Sequence, residues 1–276
     1  MIDHAGLNME SGQKIASERI QSVNDNMAQS HYHEYFELYY LESGERYHMI
    51  GNQIYHMNAG EFVLIPPYIM HHSYGENDIP FKRLLVYFTE EMILQPEILE
   101  LLSQEARVYK KDERREIHSL MCGILIELNR DDIYSGPMEH LLLNQLLILL
   151  ARHSSETAKP EQQSRITQIV NYLQEHYAED ISLDDLSAHF YLSSYYLCRE
   201  FKKHTYTTIV QYINNLRIIH AQRLFQETNQ SITEISKIVG FSNVTHFNRI
   251  YKSVTGMSPS QSRKMFRERQ ANQKKA

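Results

Sequence analysis

Two stretches, Ser182-Leu-Asp-Asp-Leu-Ser-Ala-His-Phe-Tyr-Leu-Ser193 and Ser231-Ile-Thr-Glu-Ile-Ser-Lys-Ile-Val-Gly-Phe-Ser242, are copies of one pattern. They align at an offset of 49, pairing Leu183 with Ile232, Asp185 with Glu234, Leu186 with Ile235 and Phe190 with Val239. Past the turn the offset becomes 50, pairing Leu197 with Phe247, Arg199 with Arg249, Phe201 with Tyr251 and Lys202 with Lys252. Each copy reads as helix–turn–helix. Ser182 with Asp185 and Ser231 with Glu234 form capping boxes at the start of the first helix. Small Ser187 and Ser236 sit where two helices approach closely. Gly240 supplies positive φ in the second turn. Ser193 and Ser242 are expected to cap the second helices, which carry apolar faces (Leu197 and Phe201; Phe247 and Tyr251) opposite polar ones. A unit of this kind can seat its second helix in the major groove of DNA.

Between the copies, Thr208 to Gln226 places Ile209, Tyr212, Ile213, Leu216, Ile219 and Leu224 along a helical stripe. The nineteen residues span about 28 Å, against about 34 Å between successive major-groove faces. A stiff helix of that length can hold two reading heads over adjacent grooves when the DNA bends.

From about Ser164 to Arg267 the chain resembles the AraC/XylS family of bacterial transcription regulators. The stretch Ile232 to Pro259 reproduces that family's I-x-x-I-A-x-x-V-G-F-x-x-x-x-x-F-x-R-x-F-K-x-x-x-G-x-x-P signature. Ser187 and Ser236 replace the usual Ala, Tyr251 the usual Phe, and Tyr206 a Gly after the first reading helix, which puts the left-handed cap there in question. The resemblance implies base-reading positions at Ser194, Tyr195, Cys198 and Arg199 in the first head. In the second they are Asn243, Val244, Thr245, Asn248 and Arg249. Arg can read guanine, Asn adenine, and Val or the Thr methyl the thymine methyl. Lys202, Lys203, Lys252, Arg263 and Lys264 suit phosphates, which fix register. The same residue types also populate ordinary solvated helix faces.

Outward from this half the character changes. Residues 160–276 carry 15 Lys+Arg against 10 Asp+Glu, whereas residues 1–159 carry 13 against 24, within a chain of net charge −6. A basic half joined to an acidic half indicates one nucleic-acid-binding domain and one domain with a different task. Residues 30–90 read as strands broken by turns at Glu42-Ser-Gly44, Gly51-Asn52, Asn58-Ala-Gly60, Pro66-Pro67 and Gly75-Glu-Asn77, the rhythm of an antiparallel sandwich or barrel. From Glu91 to His153 the period is helical, with Gly136-Pro137 interrupting two amphipathic stripes. The pair forms a hairpin that either packs on the barrel alone or also pairs two protomers. Residues 154–163 are polar, contain Pro160 and show no apolar periodicity, and so read as a linker.

His31-Tyr-His33-Glu-Tyr-Phe-Glu37 followed by Gly44 resembles the first cupin motif, and Gly60 to His71 the second, with Tyr68 where a Gly is usual. The resemblance implies a cupin barrel and, in metal-binding cupins, a site formed by His31, His33, Glu37 and His71. Regulators also keep this pattern in a metal-free pocket, and no metal or other cofactor is expected here. Tyr35, Tyr39, Tyr47, Tyr55 and Tyr87 are candidates to line the barrel, an aromatic setting suited to a sugar-like metabolite. His31, His33, Glu37, Tyr39 and His71 form the candidate effector pocket.

The fold expected is α+β: a cupin-type β-barrel with a helical hairpin, then an all-α domain of two helix-turn-helix units joined by a long helix. The boundaries expected are a sensor at 1–108, a hairpin at 109–153 that serves dimerisation, a linker at 154–163 and a DNA-binding domain at 164–276. Cys122 and Cys198 show no metal-ligand or disulfide spacing. That argues against a cysteine-built zinc site and against a methyl-accepting DNA-alkylation sensor, which needs a Cys cluster. The N-terminus has neither a basic start nor an apolar run, and Leu141 to Ala151 falls short of a membrane span. A cytoplasmic, non-enzymatic regulator is expected. Its partners would be double-stranded DNA, a small-molecule effector and a second copy of the chain, with RNA polymerase a further candidate. The competing expectation is a metal-dependent cupin enzyme fused to a DNA-binding domain.

Overall fold

The computed structural model describes residues 3–23, 30–75, 79–112, 114–153 and 165–273. They form two compact units, 1–164 and 165–276.

The first unit opens with helix α1 (His4–Glu10), followed by β1 (Ile15–Ser22), β2 (Phe36–Ser43), β3 (Glu45–Ile50), β4 (Gln53–Asn58), β5 (Phe62–Ile65), β6 (His71–Tyr74) and β7 (Phe81–Phe88). After a 3-10 turn at Glu90–Met92 come α2 (Pro96–Ser103), β8 (Arg107–Tyr109), α3 (Glu116–Glu127) and α4 (Ser135–Arg152). Five strands pair in the order β1-β7-β2-β5-β8 and three in the order β4-β3-β6, with every pairing antiparallel.

β2 and β7 are buried along nearly their whole length because both faces of the larger sheet are covered. Successive side chains alternate between those faces. Phe36, Leu38, Tyr40, Leu84, Val86 and Phe88 pack against Ile117, Met121 and Ile124 of α3 and Leu143, Leu146, Leu147 and Leu150 of α4. Tyr39, Leu41, Phe81, Leu85 and Tyr87 face the other way, where Ala5 and Met9 of α1 join them. Tyr87 donates to the Asp3 carboxylate at 2.9 Å, tying α1 to this inner layer.

Several expectations need correction. Strands extend beyond 30–90: β1 pairs with β7 in register from Ile15 opposite Phe88 to Ser22 opposite Phe81. Its outer half is polar and half-exposed, so its sequence carries little strand signal. The helical segment after Glu91 also contains β8, three residues too short to show a period. Gly136-Pro137 lies inside the first turn of α4, where a missing N–H removes no helical bond. The turn at Gly75 runs into residues 76–78, and the linker at 154–163 also falls outside the described residues.

The second unit is all-helical: α5 (Arg165–His176), α6 (Leu183–Phe190), α7 (Ser194–Thr205), α8 (Ile209–Glu227), α9 (Ile232–Ile238), α10 (Val244–Thr255) and α11 (Pro259–Gln273). α8 runs unbroken, and its start is fixed by a capping box between Thr208 and Gln211. Its N-terminal half buries Tyr212 edge-on to Phe201 of α7, with ring centres 5.5 Å apart. Its C-terminal half buries Ile218, Ala221 and Phe225 among Ile235, Val239, Phe241, Phe247 and Tyr251. The molecule is therefore mixed α+β, with a sheet-rich N-terminal unit and a helical C-terminal one.

Candidate functional site

In the first head Ser182 and Asp185 complete the capping box at the start of α6, which ends at Tyr191 in left-handed conformation (φ 54°). Ser193 then caps α7 by accepting from the Tyr196 N–H at 3.3 Å. α7 buries Leu197, Phe201 and Thr205 and exposes Tyr195, Arg199, Lys202 and Lys203, while Ser194 and Cys198 are half-buried. The Ser194 and Ser187 hydroxyls lie 2.9 Å apart and join the two helices. The Arg199 guanidinium pairs with Glu200 at 3.2 Å and lies 5.4 Å from the centre of the Tyr196 ring. The helix closes at Tyr206, whose φ of 55° preserves the left-handed cap without glycine.

The second head repeats the plan with one change. Ser231 and Glu234 form the capping box of α9. The cap of α10 is Asn243 and not Ser242: its side-chain oxygen accepts from the N–H groups of Thr245 at 2.7 Å and His246 at 3.3 Å. The one-residue insertion after the turn moves the cap along with the helix. α10 buries Phe247 and Tyr251 and exposes Thr245, Asn248, Arg249 and Lys252, with Val244 half-buried. Thus Thr245, Asn248, Arg249 and Lys252 form an exposed stripe at i, i+3, i+4 and i+7.

Exposed His246 is absent from the sequence-based set; its ring stands edge-on to that of Phe241, with centres 5.6 Å apart. Lys264 is exposed and 3.8 Å from Glu268. Arg263 is instead folded back. It donates to the Gln230 carbonyl, and its guanidinium lies 5.0 Å from the centre of the Phe225 ring, bracing α11 on the α8–α9 junction.

Gly240 is the glycine that the second turn requires. Its φ is 93°, and a Cβ there would stand 2.4 Å from the Ala178 carbonyl oxygen. Close by, Arg217 of α8 donates to the carbonyls of Tyr177 (2.7 Å) and Glu179 (2.8 Å), which satisfies the chain leaving α5.

In the first unit the structure brings His31, His33 and His71 together, with one ring nitrogen of each within 4.8 Å of the others. Backbone hydrogen bonds between His31 and His71 place both rings, and Tyr68, at φ 64°, donates its N–H to the His33 carbonyl at 2.9 Å. Glu37 is fully buried, and its Oε2 is 3.1 Å from Nε2 of both His33 and His71. Burial works to raise the Glu37 carboxyl, but the two imidazoles outweigh it and hold the group well below the usual carboxylate range. Burial lowers His33.

The other ring nitrogens settle the tautomers. Nδ1 of His33 meets the Tyr35 carbonyl at 2.7 Å, and Nδ1 of His71 meets that of Ile69 at 2.8 Å. A carbonyl only accepts, so both Nδ1 atoms carry protons. Each Nε2 then faces Glu37 Oε2 across 3.1 Å, a gap closed by a proton on the imidazole or by a cation. Imidazoles locked this way by carbonyls are oriented as metal ligands. His31, His33 and His71 thus offer three nitrogens close enough together for one divalent transition ion, with Glu37 against two of them.

Tyr39 is fully buried beside this group, and its ring centre is 4.4 Å from that of His48. Arg46, His48 and Arg83 join it without having been legible as site residues. Arg46 donates to the Ser73 hydroxyl at 3.2 Å and lies 4.1 Å from the centre of the Phe81 ring, and Arg83 lies 5.6 Å from that of Tyr39. The period-2 register was the available signal, since Arg46 and His48 share a face of β3. Tyr47, between them, points to the opposite face and stacks on His56 and Tyr74, so it does not line the interior. A cavity of about 540 Å³ opens elsewhere, lined by Lys14, Ser17, Met92, Asn129, Glu139 and His140 among others.

Residues 18–151 match the model of the AraC-like ligand binding domain, and residues 186–265 that of a helix-turn-helix domain. The HTH-type transcriptional activator RhaS of Enterobacter sp. (strain 638) is 34% identical over 123 residues, 45% of this chain and 44% of that protein. RhaS of Salmonella heidelberg (strain SL476) is 30% identical over 58% of this chain and 60% of its own. The chain spans about half the length of the curated relatives it matches. The crystal structure of ToxT from Vibrio cholerae O395 aligns over 92% of this chain and 98% of its own, at 12% identity and a TM-score of 0.39. No helix among the described residues is long and apolar enough to cross a membrane.

Proposed function

Since the chain belongs to the AraC family by both of its matched domains, we propose that it is a sequence-specific DNA-binding transcription regulator controlled by a small-molecule effector. The observation that carries this is the repeated pair of helix-turn-helix heads on one unbroken helix, each with a polar and cationic face left open to solvent.

In this reading Tyr195, Cys198, Arg199 and Ser194 read bases from the first head, and Val244, Thr245, Asn248 and Arg249 from the second. Asn243 keeps its side-chain oxygen on the helix cap and offers its amide nitrogen to the groove. Lys202, Lys203, Lys252 and Lys264 hold phosphates, and Arg263 supports the second head from behind. The chain acts without enzymatic turnover, in the cytoplasm. Ile126, Ile133, Tyr134, Met138 and Leu141 are exposed apolar residues on and between α3 and α4, and this surface pairs two copies of the chain. RNA polymerase is the partner through which an activator of this kind would work.

Effector binding in the barrel shifts the balance between conformations that differ in DNA affinity. Selection of bound sites from random DNA tests the proposal. The expected product is a pair of half-sites about one helical turn apart, and recovery of unselected sequence overturns it.

A second reading concerns the effector site itself. The convergence of nitrogens from His31, His33 and His71 beside Glu37 supports a divalent cation there, serving as the effector or as its anchor. Such an ion would supply positive charge and an open coordination position, while His33 and His71 stay oriented by the Tyr35 and Ile69 carbonyls. Metal analysis of the purified chain tests this: stoichiometric metal that disappears in His71→Ala supports it, and a metal-free wild type removes it.

A further inference from the structure

Glu42 is the penultimate residue of β2, and His118 and Cys122 lie one turn apart on α3. The fold closes these three side chains on one another at the junction of sheet and hairpin. One donor atom from each lies within 4.8 Å of the others: a carboxylate oxygen, an imidazole nitrogen and a sulfur. His118 Nε2 is 2.6 Å from Glu42 Oε1 and 3.6 Å from Cys122 Sγ. No local motif marks the group, because Glu42 is 76 positions from His118.

We propose that Glu42, His118 and Cys122 form a zinc site, distinct from the histidine group of the barrel and independent of the reading given to it. His and Cys at i and i+4 share one helical face, and a mixed sulfur, nitrogen and oxygen set suits zinc. Tetrahedral zinc sets a ligand sulfur and a ligand nitrogen roughly 3.6 Å apart, which is the separation found here. Nitrogen and carboxylate oxygen stand roughly 3.3 Å apart around the same ion, so Glu42 has to draw back by less than about 1 Å.

The site already holds positive charge at the required place. The Arg19 guanidinium bridges the two acidic ligands, with Nη2 2.9 Å from Cys122 Sγ and 2.9 Å from Glu42 Oε1. Arg19 is partly exposed and can swing outward, leaving its place to the ion. Lys82, 3.6 Å from Glu42 Oε2, remains to orient the carboxylate from behind. Three protein ligands leave a fourth position for water or an exogenous donor. Because the ligands come from β2 and α3, the ion would clamp the hairpin to the sheet.

The test uses the full-length chain, reduced and stripped of metal, titrated with cobalt(II) and then zinc. One equivalent of cobalt should produce a thiolate-to-cobalt charge-transfer band that zinc abolishes. Only a thiolate gives that band, so ions in the barrel histidines do not contribute. The band should vanish in Cys122→Ser, lose about tenfold or more in affinity in His118→Ala, and persist in Cys198→Ser and His71→Ala. Arg19→Ala should tighten binding by removing the competing cation. In Cys198→Ser protein, zinc should slow alkylation of Cys122 by iodoacetamide about tenfold or more, a readout that needs no ligand variant to fold. Absence of the band, its survival in Cys122→Ser, or an alkylation rate unchanged by zinc overturns the proposal.

Discussion

Arg249 stands exposed on α10, one residue beyond exposed Asn248 and three before exposed Lys252. Arginine recognises guanine through two parallel hydrogen bonds, whereas lysine on a phosphate contributes charge alone. Arg249→Ala is accordingly expected to cost about 1–3 kcal/mol at a selected site and to relax base preference at one position. Lys252→Ala should weaken all sequences alike and lower the salt slope by about one. Binding titrations on cognate and scrambled duplexes at several salt concentrations separate the two, and identical behaviour would contradict the assignment. Asn243 gives a stability counterpart. As the true cap of α10, Asn243→Ala should lose about 0.5–2 kcal/mol in denaturant unfolding, while Ser242→Ala should lose little. Tyr191 is 94% exposed and left-handed. Left-handed backbone costs a side-chain-bearing residue about 1–2 kcal/mol. Part of that returns with glycine, so Tyr191→Gly should raise the unfolding midpoint, and a lower midpoint would show that the tyrosine stabilises the fold through its side chain.

Among the elements, α8 and the α3–α4 hairpin matter most. The stripe read for α8 from Ile209 to Leu224 is real, but Ile218, Ala221, Gln222 and Phe225 are buried as well. One helix serves two heads on different sides, so its period is blurred and a single apolar stripe understates it. The hairpin packs Leu143, Leu146, Leu147 and Leu150 on the sheet, and α3 takes part of what remains. Leu141 is left 64% exposed on an over-apolar helix that one neighbour cannot cover, and Ile133 in the preceding turn is 82% exposed. On the proposal that this surface pairs two copies, Leu141→Glu is expected to lower the sedimenting mass to that of one chain without loss of helix content. An unchanged sedimenting mass would contradict that pairing. β1 and β8 were illegible for the opposite reason: half-exposed or three residues long, they are strands only because β7 and β5 offer them partners.

At the scale of the whole molecule, charge separates along the chain, acidic before residue 160 and basic after it. The basic half is where counterion release favours DNA. Two heads on a rod of about 28 Å demand half-sites in phase on one face of the duplex. Inserting about half a turn (~5 base pairs) between selected half-sites should abolish two-headed binding, leaving affinity close to that of a single half-site. Tolerance of the insertion would mean that the heads move independently of α8.

The order of residues was enough for the twin helix-turn-helix units, their capping boxes, the long helix and the strand-rich N-terminal half. These features rest on local chemistry: period, cap residues and turn residues act within a few positions of one another. The shift of the α10 cap to Asn243, the folding back of Arg263, and the Arg46, His48 and Arg83 layer did not show in it. Nor did the meeting of Glu42 with His118 and Cys122. The cap is a local matter of one inserted residue; each of the others depends on which distant segment arrives at a side chain, and pairing across tens of residues is set by the packing of whole sheets and helices rather than by neighbours in the chain.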